Sequence, residues 1–211
     1  MKPFNRFANR YRRVVRWAPP SAQAAALALL LIGLLTGASV AQPPAPKSSA
    51  HVYLLRGAFN VFSLGLDDLG EQVRRMGVPT TVANHLAWSG LADQAAAQYK
   101  SGRLRNIILV GHSLGAIAVT EMAARLGQRG VPVKLAIGLD PTARMQVSGH
   151  VDRYVNYYIA DGMGKAVDRG PQFTGVLENV DVEKNPALNH FNIDKNRALQ
   201  EQVLRMIRAA L

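Results

Sequence analysis

The chain has 211 residues, 48% of them hydrophobic, and its net charge of +11 rests on 25 Lys and Arg against 14 Asp and Glu; one core-bearing domain with an appendage is the expectation from size. Six of the basic residues, Lys2, Arg6, Arg10, Arg12, Arg13 and Arg16, fall in the first 20 positions, so the rest carries 19 basic and 14 acidic groups with no dense basic stripe among aromatics, which argues against a nucleic-acid partner. There is no cysteine, which excludes disulfides, a lipoprotein anchor and thiol chemistry.

The acid-free basic segment runs into Pro19 and Pro20 and then into Ala22 to Val40, apolar apart from Gln23, Thr36 and Ser39. Charge, then grease, then small residues is the order of an export signal, and Ser39-Val40-Ala41 offers small residues where a signal peptidase reads. Cleavage there would start a mature chain at Gln42. The stretch Ala22 to Ala41 is also long enough to span a bilayer as a helix with the arginines on the cytoplasmic side, so an uncleaved signal anchor is the second expectation. In both cases residues 1–41 deliver the remainder to the periplasmic or extracellular side, with a membrane tether if the leader is kept. Residues 42–50, rich in proline and small polar residues, have the composition of an extended linker, and the folded domain is expected over 51–211.

Within that domain His51 to Arg56 reads as a strand closed by Gly57. Leu66 to Met76 reads as a helix, with Asp67, Asp68 and Glu71 early and Arg74 and Arg75 late, the order that suits the helix dipole. Pro79 to Asn84 is a short strand. Ser89 is a candidate cap for a helix over Leu91 to Tyr99, in which Leu91, Ala95 and Tyr99 share a face. His85 and Trp88 lie between the two.

The run Ile107-Ile108-Leu109-Val110 is continuously apolar, as a parallel strand covered on both faces should be. Leu114, Ile117, Ala118, Met122 and Leu126 then recur at helical spacing, with Gly127 or Gly130 able to end the helix. Between them stands Gly111-His112-Ser113-Leu114-Gly115. A serine caught in so sharp a strand-to-helix turn needs neighbours without side chains two residues away on either side, which Gly111 and Gly115 supply. Its hydroxyl projects from the carboxyl edge of the sheet, and the N–H of Leu114, at the start of the helix, can donate to a developing oxyanion. Val133 to Leu139, ending in Asp140-Pro141, and Tyr154 to Ala160, ending in Asp161-Gly162, are two further strands. Asn179 to Glu183 is the last strand-like piece. Asp194 then opens a helix carrying Leu199, Val203, Met206, Ile207 and Ala210 on one face.

This strand–Gly-His-Ser-Leu-Gly–helix unit resembles the nucleophile elbow of the α/β-hydrolase superfamily, and Gly-His-Ser-Leu-Gly-Ala together with Gly138-Leu139-Asp140-Pro141 looks lipase-like. The resemblance covers Val52 to the C-terminus. It implies a minimal doubly wound, mostly parallel sheet of about six strands with helices on both faces, and acyl transfer by serine, histidine and a carboxylate. Ser113 would be the nucleophile. The second oxyanion donor falls by resemblance in the loop after Arg56, at the backbone N–H of Ala58, or at Phe59 if the loop shifts by one. Two carboxylates compete for the acid. Asp161 follows the second strand after the elbow, the usual position, whereas Asp140 sits in a turn like the acid-bearing turn of animal-type lipases and is preferred. The histidine follows the acid in the superfamily's chain order, which sets aside His51, His85 and His112; His190, between the last strand and the final helix, is preferred over His150.

Only 13 residues separate Asp140 from Tyr154, which leaves no room for a cap domain and predicts an open site. That suits an acyl ester or lipid substrate, cleaved as a carboxylic ester or thioester. No cofactor is expected, nor a metal, since the histidines and carboxylates lack ligand-like spacing; nothing in the sequence speaks to oligomeric state. The competing expectation is an α/β-hydrolase scaffold without catalysis, serving as an envelope binding or assembly module. Its signs would be a His190 turned away from Ser113, or a pocket filled by Phe59 or Phe191.

Overall fold

Strands whose side chains alternate between two apolar faces need cover on both, and among the described residues four helices supply it. The computed structural model describes residues 49–58 and 63–211. The leader, residues 42–48 of the linker and Phe59 to Phe62 lie outside the described residues. Six strands form one sheet: β1 (Ala50–Arg56), β2 (Thr80–Asn84), β3 (Asn106–His112), β4 (Leu135–Leu139), β6 (Arg153–Tyr158) and β8 (Val176–Asp181). Every pairing in it is parallel, and the order across it is β2-β1-β3-β4-β6-β8. Two short strands, β5 (Met145–Val147) and β7 (Val167–Arg169), pair only with each other. The helices are α1 (Gly65–Arg75), α2 (Trp88–Lys100), α3 (Leu114–Gln128) and α4 (Arg197–Ala209).

Side-chain alternation sorts the core into two layers. Val52 and Leu54 of β1, Ile108 and Val110 of β3 and Ile137 of β4 pack with Leu66, Leu69 and Val73 of α1 and with Leu199, Val203 and Ile207 of α4. Their neighbours Tyr53, Leu55, Ile107, Leu109 and Ala136 turn the other way, toward Ala92, Ala95 and Ala96 of α2 and Val119 and Met122 of α3. Each fully buried Leu, Ile or Val contributes about 1.5–3 kcal/mol, so the two layers together outweigh any surface contact. This is the doubly wound α/β architecture expected from the sequence.

The topology also sets where a ligand can sit. The chain steps from β1 to β2 on one side and then to β3 on the other side of β1, so the winding reverses between β1 and β3. In an open α/β sheet such a reversal opens a crevice at the carboxyl ends of the two strands. Gly57 and Ala58 follow β1 there, and Ser113 follows β3.

Several local expectations shift. The helix opened by Asp194 in the sequence reading starts at Arg197, capped by the Asn196 side chain, which accepts from Leu199 N–H at 3.1 Å. Asp194 is instead buried. The chain enters α2 through a 3-10 turn, His85–Ala87, in which Asn84 accepts from Leu86 N–H at 2.9 Å, so Ser89 lies inside the helix rather than capping it. Gly130, at φ 69°, is the left-handed residue that stops α3. The β5/β7 pair was not legible, because strands of three residues carry no periodic signal.

That pair matters for the site. Asn156 of β6 and Asn179 of β8 are cross-strand partners. Asn156 Nδ2 donates to Lys165 O at 3.0 Å and to Asn179 Oδ1 at 2.9 Å, while Asn179 exchanges two bonds with the backbone of Val167, at 2.8 and 2.9 Å. These bonds restrain the loop between β6 and β7, whose Lys165 N–H donates to Pro141 O, just past β4, at 2.9 Å. Among the described residues no helix is long and apolar enough to cross a membrane.

Candidate active site

Ser113 sits at φ 58°, ψ −122°, a backbone conformation that a non-glycine residue adopts only when its surroundings impose it. They do so by close packing. A Cβ on Gly111 would stand 2.2 Å from Gly115 O, and one on Gly115 only 1.9 Å from Leu55 O. Ser113 N–H donates to Leu139 O at 2.9 Å, tying the turn to β4. Leu114 begins α3, so its N–H has no acceptor within the helix.

His190 bridges Ser113 and Asp140. Its Nδ1 lies 2.7 Å from Asp140 Oδ2 and its Nε2 3.1 Å from Ser113 Oγ. A carboxylate accepts, so Nδ1–H is the donor to Asp140, and Nε2 is left to accept from the serine hydroxyl. Asp140 is fully buried, at φ 50°; its Oδ1 accepts from Ile159 N–H at 2.9 Å and its own N–H donates to Tyr157 O at 2.7 Å. The rival carboxylate is elsewhere: Asp161 is exposed and hydrogen-bonds Glu183, raising the Glu183 pKa. His150 is exposed, with its carbonyl accepting from Val133 N–H ahead of β4. His51 binds Thr81 Oγ1 at 2.9 Å on β1, and Trp88 packs against the layer under α2 and α3.

The sequence reading missed Ser63 and set His112 aside on chain order. Both are buried at the site. His112 Nε2 lies 2.8 Å from His190 O, and since a carbonyl only accepts, Nε2 carries the proton. Nδ1 then accepts from the Ser63 hydroxyl at 2.8 Å, and Ser63 Oγ accepts from Gly57 N–H at 2.9 Å. Burial, reinforced by the neighbouring His190, pushes the His112 pKa down to about 4, so the ring is neutral. No periodicity could have revealed a contact between residues 49 apart.

Gly57 is required by closeness rather than by a turn. A Cβ there would come 3.0 Å from Ser113 Cβ and 3.1 Å from His112 O. With Gly57 N–H engaged by Ser63, the next N–H in the loop is that of Ala58, which lines the cavity. Phe59, the other candidate donor, lies outside the described residues.

A second set of bonds holds the segment after β8. Asp194 Oδ2 accepts from Gly65 N–H at 2.9 Å, and Gln200 Nε2 donates to Gly65 O at 2.9 Å and Asp194 O at 2.8 Å. Burial raises the Asp194 pKa to about 6, and its Oδ1 is buried without a partner.

The crevice is a cavity of about 300 Å³ that contains Ser113 and His190 and is walled by Ala58, Leu114, Thr142, Met163 and Phe191. Met163 and Phe191 are about half exposed, and the Phe191 ring stands edge-on to His190 at 5.4 Å. Among the described residues no group of three or more His, Asp or Glu is placed to hold a metal ion.

Strand order, the serine turn and the crevice at the winding reversal define a doubly wound parallel α/β sheet with a strained serine at a strand-to-helix turn. No protein-family model and no curated protein matches the sequence. Among solved structures the chain is similar to a proposed hydrolase of the alpha/beta superfamily from Xanthomonas campestris pv. campestris, 15% identical, covering 74% of this chain and 98% of that one with a TM-score of 0.41.

Proposed function

We propose that this protein is a serine hydrolase that cleaves carboxylic esters or thioesters of apolar acyl groups, with Ser113 as nucleophile, His190 as base and Asp140 as the orienting acid. The observation that carries the reading is the two-sided engagement of His190, between a buried carboxylate at 2.7 Å and a serine hydroxyl at 3.1 Å on a strained turn.

In this mechanism Nε2 takes the Ser113 proton as Oγ attacks the acyl carbon, while Asp140 holds the Nδ1–H tautomer and stabilises the imidazolium. The N–H groups of Leu114 and Ala58 receive the oxyanion, each such donor lowering the barrier by about 3 kcal/mol. The imidazolium protonates the leaving alcohol or thiol. Water, deprotonated by His190, then releases the acid and restores Ser113. Ala58, Leu114, Met163 and Phe191 give the cavity apolar walls, which suits an acyl chain better than a charged or sugar substrate. The domain works on the far side of a membrane, delivered there by residues 1–41; N-terminal sequencing of the exported protein distinguishes a cut leader from a retained anchor.

The test is labelling of the purified protein by a fluorophosphonate, which reacts only with an activated serine. Labelling that disappears in Ser113→Ala and His190→Ala supports the reading. A folded wild-type protein that does not label overturns it in favour of the non-catalytic scaffold.

A further inference from the structure

The base has a long way to reach. β8 is an edge strand, separated from β3 by β4 and β6, so at about 4.8 Å per strand the segment after β8 must come back over roughly 14 Å of sheet to meet Ser113. No sheet ladder holds it there. The loop after β1, with the second oxyanion donor, is likewise outside the ladder. Yet a serine hydrolase needs both sets of atoms placed to within about 0.5 Å.

One chain of hydrogen bonds joins the two loops across the end of β3. Gly57 N–H donates to Ser63 Oγ, the Ser63 hydroxyl donates to His112 Nδ1, and His112 Nε2–H donates to the carbonyl of His190 itself, at 2.9, 2.8 and 2.8 Å. We infer that Ser63 and His112 are positioning residues for the hydrolysis proposed above, tying the loop that offers the oxyanion donor to the backbone of the base and setting both against Ser113. The inference rests on that reading of the site.

The chemistry of each member is specific. Ser63 must accept from Gly57 and donate to His112 at once, which a hydroxyl does and a methyl cannot. His112 must donate at one end and accept at the other, across the width of a ring; an amide side chain spans only one of the two positions. All the donors point the same way, so each bond polarises the next. Ser63 and His112 are both buried and border the cavity that holds Ser113 and His190. The same Ser63 lies two residues before Gly65, which Asp194 and Gln200 fasten to the stretch following His190. The two fastenings differ in what they grip: Asp194 holds the base segment four residues downstream, whereas His112 holds the base residue.

The experiment compares wild type with Ser63→Ala, Ser63→Thr, His112→Gln and the Ser63→Ala/His112→Gln double variant of the full chain. It measures kcat and KM on p-nitrophenyl butyrate, fluorophosphonate labelling, and imidazole ¹⁵N shifts. Ser63→Ala and His112→Gln are expected to lower kcat about 10- to 100-fold each while KM stays within about threefold. The double variant should be little worse than the more severe single one, and Ser63→Thr should recover most of the loss. In the wild type the His112 signals should show Nε2 protonated and Nδ1 bare, with Nδ1 alone moving in Ser63→Ala. Unchanged kcat in a folded Ser63→Ala protein, multiplicative losses in the double variant, or an Nδ1-protonated His112 overturns the positioning role and leaves the hydrolase reading standing. A wild type that does not label overturns the hydrolase reading and the positioning role with it. Should His112→Gln fail to fold, the kinetics of Ser63→Ala and the ring tautomer decide.

Discussion

Gly164 lies against the carboxylate of Asp140: a carbon on its Cα would stand 1.8 Å from Asp140 Oδ1 and 2.9 Å from Ile159 N, the donor that Oδ1 accepts from. Its φ is not in the left-handed range, so the requirement is for space alone. Gly164→Ala must therefore displace the carboxylate from His190 or move the loop that the Asn156 and Asn179 bonds restrain. We expect kcat to fall by about two orders of magnitude, with a stability loss of about 1–3 kcal/mol as for other overpacked sites. Steady-state kinetics and urea unfolding on the same preparation check both.

Asp140→Asn should leave the fold intact and remove most of the activity. The amide can keep the bond from Ile159 N–H through its oxygen, but then presents N–H₂ to His190 Nδ1 and forces the proton onto Nε2, where it cannot accept from Ser113. A loss of about 10³–10⁴ in kcat follows. Asp161→Asn, on an exposed carboxylate paired with Glu183, should change kcat less than twofold. If Asp161→Asn were the damaging change, the acid would have been assigned to the wrong strand end.

His112 and Asp194 pull the acid stability in opposite directions. His112 is held at about 4 against an ordinary 6.5, so the unfolded chain takes up its proton first, and the stability His112 contributes above pH 6.5 is lost as pH falls toward 4. Asp194 is raised from 3.8 to about 6 by burial, so the native state takes up its proton first, and a cost present above pH 6 is relieved as pH falls. His112 is faced by His190, Asp140 and Lys195, and Asp194 by Lys195 and His190. Asp194→Asn removes the relieving term alone. The variant should exceed wild type in unfolding free energy at pH 7 by up to about 3 kcal/mol and lose that margin by pH 4. Urea titrations at four pH values test this; parallel curves would sink it.

Gly115→Ala tests the turn itself. The added carbon would lie 1.9 Å from Leu55 O and 2.6 Å from Leu55 C, and both of those atoms are backbone, so no side chain can swing aside. We expect a destabilisation of about 4 kcal/mol or more, seen as a large fall in Tm or as insoluble protein. Gly130→Ala, at φ 69° with nothing within 4 Å of the added carbon, should cost only about 1 kcal/mol.

Phe191 should be felt by substrate rather than by the fold. It is 54% exposed and walls the cavity beside His190. Phe191→Ala is expected to raise KM for a long-chain p-nitrophenyl ester about 3- to 10-fold more than for the acetate, with Tm nearly unchanged. Equal effects on both esters would place the acyl chain on another wall.

Much of this molecule is local and therefore legible. The apolar run at Ile107 to Val110, the two glycines around Ser113 and the helical spacing from Leu114 to Leu126 each lie within a few residues of one another, and β3, the turn and α3 follow. The small pair β5/β7 and the caps at Asn84 and Asn196 were beyond such patterns, because a three-residue strand or a single capping bond has no period to detect.

The sequence by itself determined the sheet, its helical cover and the place of Ser113 at the carboxyl edge, since alternation and turn chemistry act between near neighbours. Only the tertiary structure decided which carboxylate meets His190, why Gly57 and Gly164 tolerate no side chain, and that Ser63, His112 and Asp194 tie separate loops together. The bonds from Ser63 to His112, from His190 to Asp140 and from Gly65 to Asp194 join residues 49 to 129 positions apart. Hydrogen bonds of that kind depend on where the strands deliver their ends, and a sequence records that only once the sheet has folded.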